Sequence, residues 1–319
     1  MKNIIITIPV TDEEKAIFEE MIGDCRERFR IVYMDELSYY TKEVGTASAI
    51  IGMVEPSTVQ GSHSLEWLQI PWAGVEKYVQ QAVLSEKTVL TNATGAYGAS
   101  VSEHMVALTL AMSCSLKIYG KQQEQHMWMQ HRKDFLIHES TVLVLGTGDI
   151  GGNYARLMKY LGAYVIGLSL SRKEKTDYWD ETCILDDLDD VIGRADIIAV
   201  ALPGGNSTFH LLGEPQFRKM KKGVLIVNAG RGSVIDTGAL IKALREGVVG
   251  GAGLDVFEEE PLSDSPLWDM KNVIITPHVA GKMEDEFNRK KVVEICADNL
   301  YRYTHGQNLL HVVDRKKGY

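Results

Sequence analysis

The chain is poor in the features that mark several classes of protein. Its 319 residues include four cysteines, Cys25, Cys114, Cys183 and Cys296, far apart and with no CxxC pair. That spacing argues against a disulfide framework and against a zinc or other metal site, and it fits thiols of a reduced compartment. Positive charge is also scarce: 34 Lys and Arg stand against 43 Asp and Glu, a net charge of −9. Nucleic acid is therefore not expected as the main partner, because holding a phosphate backbone needs a basic face. No apolar run is long enough to span a bilayer. The longest, "MVALTLAMSCSL" (105–116), reads as a buried helix. The apolar start, "MKNIIITIPV", runs into acids without a small-residue cleavage site and reads as a first strand. Tandem repeats of short period and low-complexity tracts are missing too. A cytoplasmic protein that leaves membranes alone is expected.

Apolar residues make up 45% of the chain, enough for a proper core, and the length suits two domains. In the first hundred residues, β-like runs at 3–10, 30–34, 47–53, 67–72 and 88–92 alternate with helical spacing in "DEEKAIFEEMIG" and in "VEKYVQQAVL" (75–84). One long helix is predicted from about Ser100 to Tyr119. The alternation then restarts, with runs at 141–146, 163–169, 196–203, 223–229, 251–257 and 272–277. Ile- and Val-rich strands separated by helices predict an α/β fold with two open parallel-sheet lobes. A helical C-terminal segment is expected to return to the first lobe. The boundaries are 1–98 for a substrate-binding lobe, 99–284 for a nucleotide-binding lobe, and 285–319 for the return.

"VLGTGDIGG" carries G-x-G-x-x-G as Gly146, Gly148 and Gly151, between a predicted strand and a predicted helix. In that context the glycines allow a tight turn, close approach of a pyrophosphate, and close strand–helix packing. Free N–H groups near Asp149 and Ile150 would face the anion. The next strand ends at "VIGLSLSR", where an acid would hold a ribose diol and repel a 2′-phosphate. Ser169 does neither, and Ser171 and Arg172 offer donors to a phosphate. NADP is the preferred reading. The alternative has Arg172 as a solvated loop charge and NAD in the pocket.

Three later strand ends carry unusual residues. Arg231 lies in "NAGRGSVID", Asp255 and Glu260 in "LDVFEEEP", and His278 in "TPHVAG". Ligands of open α/β sheets bind beyond the carboxyl ends of strands. Arg231 can grip a carboxylate in two-pronged fashion and polarise a neighbouring ketone. His278 can give and take a proton, and Glu260 can orient the imidazole and favour its protonated form. Singly, a surface arginine, a solvated acidic run and a packed loop histidine are the plain alternatives. Jointly, the three make a 2-oxo-acid reductase.

"GTGDIG", "NAGRGSVID", "LDVFEEEP" and "TPHVAG" resemble the signatures of the D-isomer-specific 2-hydroxyacid dehydrogenase family, among them its glyoxylate/hydroxypyruvate reductase-like members. The resemblance implies a Rossmann lobe inserted into a flavodoxin-like lobe, a small 2-oxo or 2-hydroxy acid as substrate, and a homodimer. It implies that Arg231 binds the substrate carboxylate, that His278 is the acid/base and that Glu260 is its partner. Leu202, Pro203, Thr208, Ala229 and Asp255 fall at cofactor-side positions. "WAGVEKY" matches the substrate loop, where backbone N–H groups of Ala73 and Gly74 would meet the carboxylate. Ser169 departs from the family's usual Asp, and Glu76-Lys77 from its Asp-Asn pair. D-3-phosphoglycerate dehydrogenase is a rival reading, although residues 45–66 contain no Lys or Arg for a substrate phosphate. A dinucleotide-sensing corepressor is another, since such proteins keep the triad.

Overall fold

The computed structural model describes residues 1–34, 42–80, 83–131, 135–170 and 176–318. The chain divides into two compact units, Met1–Ala96 with Met283–Tyr319, and Tyr97–Lys282. The first unit is a five-stranded sheet of β1 (Lys2–Ile6), β2 (Phe29–Tyr33), β3 (Ala49–Ile51), β4 (Trp67–Gln69) and β5 (Val89–Thr91). Its order is β2-β1-β3-β4-β5, and every neighbouring pair is parallel. Consecutive Ile4, Ile5 and Ile6 are all buried, as expected of a strand covered on both faces. The helix Asp12–Ile22 opens with a reciprocal cap: the Thr11 hydroxyl accepts from the Glu14 N–H, and the Glu14 carboxylate accepts from the Thr11 N–H.

The C-terminal helix Glu286–Thr304 belongs to this first unit for a polar reason. Asn299 is fully buried; its Nδ2 donates to Gln69 Oε1 at 2.8 Å and its Oδ1 accepts from the Leu310 N–H at 2.8 Å. Gln69 Oε1 also accepts from the Thr91 hydroxyl, which accepts from Trp67 Nε1. Each such group would cost about 1–3 kcal/mol if left unpaired in the interior, so the network fixes where the helix lies.

The second unit is a seven-stranded sheet of β6 (Thr141–Leu145), β7 (Tyr164–Ser169), β8 (Glu181–Ile184), β9 (Ile197–Val200), β10 (Val224–Asn228), β11 (Val249–Leu254) and β12 (Val273–Ile275). The order is β12-β11-β10-β9-β6-β7-β8, parallel throughout. From β6 the chain builds outward through β7 and β8, then crosses back to add β9 to β12 on the other side. The order therefore reverses between β6 and β9, which is where an open parallel sheet leaves a crevice.

Three local expectations differ from the structure. The helix predicted over 100–119 is two helices, Gly98–Ser113 and Leu116–Glu124, because Ser115 between them is left-handed with φ 55°. That conformation ends an α-helix of L-residues. The helix predicted over 75–84 is a series of turns in its described part; residues 81 and 82 lie outside the described residues. Tyr78 N–H and Val79 N–H both bond the Val75 carbonyl, but the turn is not propagated, and the Tyr78 hydroxyl is held by the Val54 carbonyl at 2.7 Å. β8 matches none of the expected β-like runs. It is an edge strand of mixed polarity, so it carries no apolar run to announce it. Among the described residues no helix is long and apolar enough to cross a membrane.

Candidate active site

Because β6 to β12 run parallel, their carboxyl ends share one edge. Gly146 follows β6, Ser169 ends β7, Leu202 and Pro203 follow β9, and Ala229 and Arg231 follow β10. Asp255 follows β11, and His278 lies just beyond β12. Residues far apart in sequence are thus set along a single rim.

The glycine turn is built by close approach. Gly146 has φ 108°, and a Cβ there would stand 2.6 Å from the Ala201 carbonyl oxygen at the end of β9. A Cβ on Gly151 would run into the carbonyl oxygen of Gly146. Gly148 caps the helix Asp149–Tyr160 with extended backbone and no side-chain bond, so first-turn N–H groups, including those of Asp149 and Ile150, have no helical acceptor. Space over Gly148 is open: nothing lies within 4 Å of a Cβ built there. The Thr147 hydroxyl in the same turn is buried and has no partner among the described residues. Uncapped N–H groups at the positive end of a helix, an unused buried hydroxyl and open space fit a pyrophosphate. The Asp149 side chain is otherwise engaged: its carboxylate accepts from Gly98 N–H and from Asn153 Nδ2. Burial, outweighing those bonds, holds its pKa above the ordinary carboxylate value.

Ser169 is buried beside β8, opposite Ile184. Ser171 and Arg172 lie outside the described residues. Leu202 and Ala229 are buried, and the Thr208 hydroxyl donates to the Pro203 carbonyl at 2.8 Å, closing the loop after β9.

His278 has the left-handed φ of 52°. Its Nδ1 lies 2.7 Å from Glu260 Oε2, while Glu260 Oε1 accepts from the Phe257 N–H at 2.9 Å. With Nδ1 engaged, Nε2 is the ring nitrogen without a partner among the described residues, on a side chain that is half-exposed. Asp255, only 1% exposed, holds the loop behind it. Its carboxylate accepts from the Thr276 hydroxyl at 2.6 Å and from the N–H groups of Val279 and Ala280 at 2.9 and 3.0 Å. His104 Nε2 stands 3.6 Å from the same carboxylate.

Arg231 is joined to this arrangement through Asn228, the last residue of β10. Asn228 Nδ2 donates to the Arg231 carbonyl, Oδ1 accepts from Gly230 N–H, and its own carbonyl accepts from Asp255 N–H at 2.9 Å. Asp255 in turn accepts from His278 N–H through its carbonyl at 2.9 Å. One continuous set of bonds therefore links Arg231, Asp255, His278 and Glu260. Ala73 and Gly74 are in the other unit, on the loop after β4. Sequence reasoning missed Asn228, His104 and Thr276. Asn228 had a usable signal, an amide closing the buried run "VLIVN".

The acidic run is not a solvated face. Glu258 Oε1 pairs with His210 Nε2 at 2.5 Å, and Oε2 accepts from the Thr237 N–H. Burial pushes the Glu258 carboxyl up, but the bonds from Thr237 and His210 prevail and hold it below the ordinary range. A cavity of about 320 Å3 lined by Met112, Lys117, Gly251 and Asn272 sits at the opposite end of the sheet, where β11 and β12 begin, away from this chemistry.

The family model for D-isomer specific 2-hydroxyacid dehydrogenase, NAD binding domain, matches residues 106–280. The chain is 39% identical over 177 residues to the glyoxylate reductase of Aeropyrum pernix, covering 55% of this chain and 52% of that one. It is 29% identical over 316 residues to a D-3-phosphoglycerate dehydrogenase of Methanocaldococcus jannaschii, covering 98% of this chain and 60% of that one. The matched region thus spans between half and two thirds of each of these two relatives. Its fold is similar, with a TM-score of 0.82 and 26% identity over 100% of both chains, to an NADPH-dependent glyoxylate/hydroxypyruvate reductase of Sinorhizobium meliloti solved with NADP and sulfate.

The cradle geometry has a direct test. Gly151→Ala forces a methyl against the Gly146 carbonyl, and overpacking of this kind costs about 1–3 kcal/mol. NADPH binding, followed by nicotinamide fluorescence, should weaken by at least about tenfold while far-UV circular dichroism stays native. Unchanged affinity would show that this turn does not carry the pyrophosphate.

Proposed function

The chain belongs to the D-isomer specific 2-hydroxyacid dehydrogenase family, and from that premise we propose that it reduces a small 2-oxo acid, glyoxylate or hydroxypyruvate, to the D-2-hydroxy acid. The observation that carries this reading is the His278–Glu260 pair at 2.7 Å, tied through Asp255 and Asn228 to Arg231 on one sheet edge. The cofactor in its reduced form, NADH or NADPH, would supply the hydride when bound. Arg231 grips the substrate carboxylate with two guanidinium N–H groups and draws electron density from the adjacent carbonyl. His278 gives a proton from Nε2 to the carbonyl oxygen, and takes it back in the oxidative direction. Glu260 fixes the ring by its bond to Nδ1, so that Nε2 is the nitrogen presented. Ala73 and Gly74 add backbone donors to the carboxylate.

The pocket is read as an NADP site. Ser169 leaves room and a neutral hydroxyl where an acid would repel a 2′-phosphate, and Arg172 supplies the charge. A homodimer is the proposed assembly, through the segment around Trp128. Trp128 is 100% exposed, Met127 and Met129 beside it are exposed, and the preceding helix Leu116–Glu124 has no buried residue. Apolar surface gathered in this way marks an interaction site, and a two-fold dimer pairs such a patch with its own copy.

Three measurements follow. With glyoxylate, hydroxypyruvate and 3-phosphohydroxypyruvate as substrates, Arg231→Lys should lower kcat/KM by about 10²- to 10³-fold, since a point charge cannot replace a two-pronged grip. Near-native turnover would remove Arg231 from the mechanism, and preference for the phosphorylated acid would move the substrate to the phosphoglycerate class. Tight NADPH binding without turnover of any 2-oxo acid would instead favour the dinucleotide sensor.

Preference for NADPH over NADH should be at least about tenfold, the worth of one charge-assisted contact. Ser169→Asp should reverse it and Arg172→Ala should weaken NADPH alone; native preference for NADH would overturn the NADP reading. Sedimentation equilibrium at micromolar concentration should show a dimer that Trp128→Ser shifts toward monomer. A native monomer, or a variant that stays dimeric, would place assembly elsewhere or rule it out.

A further inference from the structure

Two backbone amides of the loop Trp72–Gly74 are turned outward by the residues that hold its carbonyls. Asn92, the residue after β5, is 7% exposed. Its Nδ2 donates to the Ala73 carbonyl at 3.2 Å, and its Oδ1 accepts from the Thr94 N–H at 3.2 Å. The next residue, Ala93, donates its N–H to the Trp72 carbonyl at 3.2 Å. Two successive carbonyls of the loop are therefore anchored to one short segment, 92–93. In a trans peptide the C=O of one residue and the N–H of the next lie in one plane and point in opposite directions. Anchoring the Trp72 carbonyl sends the Ala73 N–H the other way, and anchoring the Ala73 carbonyl does the same for the Gly74 N–H. Among the described residues neither N–H has an acceptor. Ala73 is exposed and Gly74 half-exposed, so both donors can be reached.

We propose that Asn92 is a positioning residue for the substrate carboxylate: its side-chain amide fixes the Ala73–Gly74 peptide plane so that the Gly74 N–H is presented as a donor. This rests on the reading above that Ala73 and Gly74 meet the carboxylate. Asn92 itself touches no substrate. Its effect passes through the orientation of one peptide group, which makes the distinction between donor and mere filler testable. Asn92→Asp keeps the shape and keeps an oxygen for Thr94, but it replaces the donor with an anion facing the Ala73 carbonyl. A packing role tolerates that change; an orienting role does not.

The experiment uses full-length protein labelled with 13C′-alanine and 15N-glycine, which isolates Ala-Gly pairs such as Ala73-Gly74, together with steady-state kinetics on glyoxylate. In the native protein with NADPH, oxalate should shift the Gly74 amide; no shift would overturn the carboxylate seat on which the inference rests. In Asn92→Asp, the Gly74 amide should go from a rigid order parameter of about 0.85 to below about 0.6. KM for glyoxylate should rise by about tenfold, with kcat within about twofold (a split expected when ground state and transition state lose the same binding) and NADPH affinity unchanged. Asn92→Ala removes the donor without adding charge, should raise KM by about threefold, and serves if the aspartate variant does not fold. A rigid Gly74 amide and native KM in either folded variant, alongside the native oxalate shift, would overturn the role of Asn92 and leave the seat intact.

Discussion

Asp255 is a carboxylate at 1% exposure, and the sheet edge that carries His278 depends on how it is satisfied. A charge taken out of water is tolerated only when its oxygens are fully engaged. Here the donors are the Thr276 hydroxyl and the N–H groups of Val279 and Ala280, with His104 close behind. All three hydrogen-bond donors come from the stretch that contains His278, so satisfying Asp255 and placing His278 are one event. The bond also explains the left-handed backbone of His278, a conformation that costs an L-residue about 1–2 kcal/mol and persists only where the surroundings impose it.

The parallel sheet makes this local device useful. Strands running the same way put their carboxyl ends on one edge, and the reversal between β6 and β9 opens a crevice there. Gly146 is pressed against the Ala201 carbonyl, so the turn after β6 and the end of β9 share that crevice. Asn228 then binds the Arg231 loop and the end of β11 together. Arginine and histidine need no direct contact to be held in register, because Arg231 is fixed to Asn228, His278 to Asp255, and those two buried residues are bonded to each other.

Two histidine–glutamate pairs grow from one acidic run, and their chemistry is alike on paper. Glu258 holds His210 and also accepts from Thr237 N–H at the start of the helix Thr237–Arg245, so it serves the frame. Glu260 holds His278 and the Phe257 N–H, and leaves Nε2 of the ring presented. The two pairs differ in the strand end on which the histidine stands, after β9 for His210 and after β12 for His278, not in the residues themselves.

Much of this was legible in the chain. Apolar runs alternating with helical spacing determined two parallel α/β sheets, because burial on both faces demands that pattern. Glycines at fixed offsets determined the turn after β6, and the order Arg231, Glu260, His278 determined the chemistry to look for. The resemblance of those motifs to a family agrees with the family match over 106–280. Local patterns failed where a choice depends on distant partners. Ser115 breaks a helix that periodicity would continue, β8 forms without an apolar run, and the described part of the 75–84 segment forms turns. That Glu258 turns to His210, and that Asn228 ties the Arg231 loop to the end of β11, were decided only by tertiary structure. Hydrogen bonds between strand ends are set by through-space geometry, and nothing in the spacing along the chain encodes it.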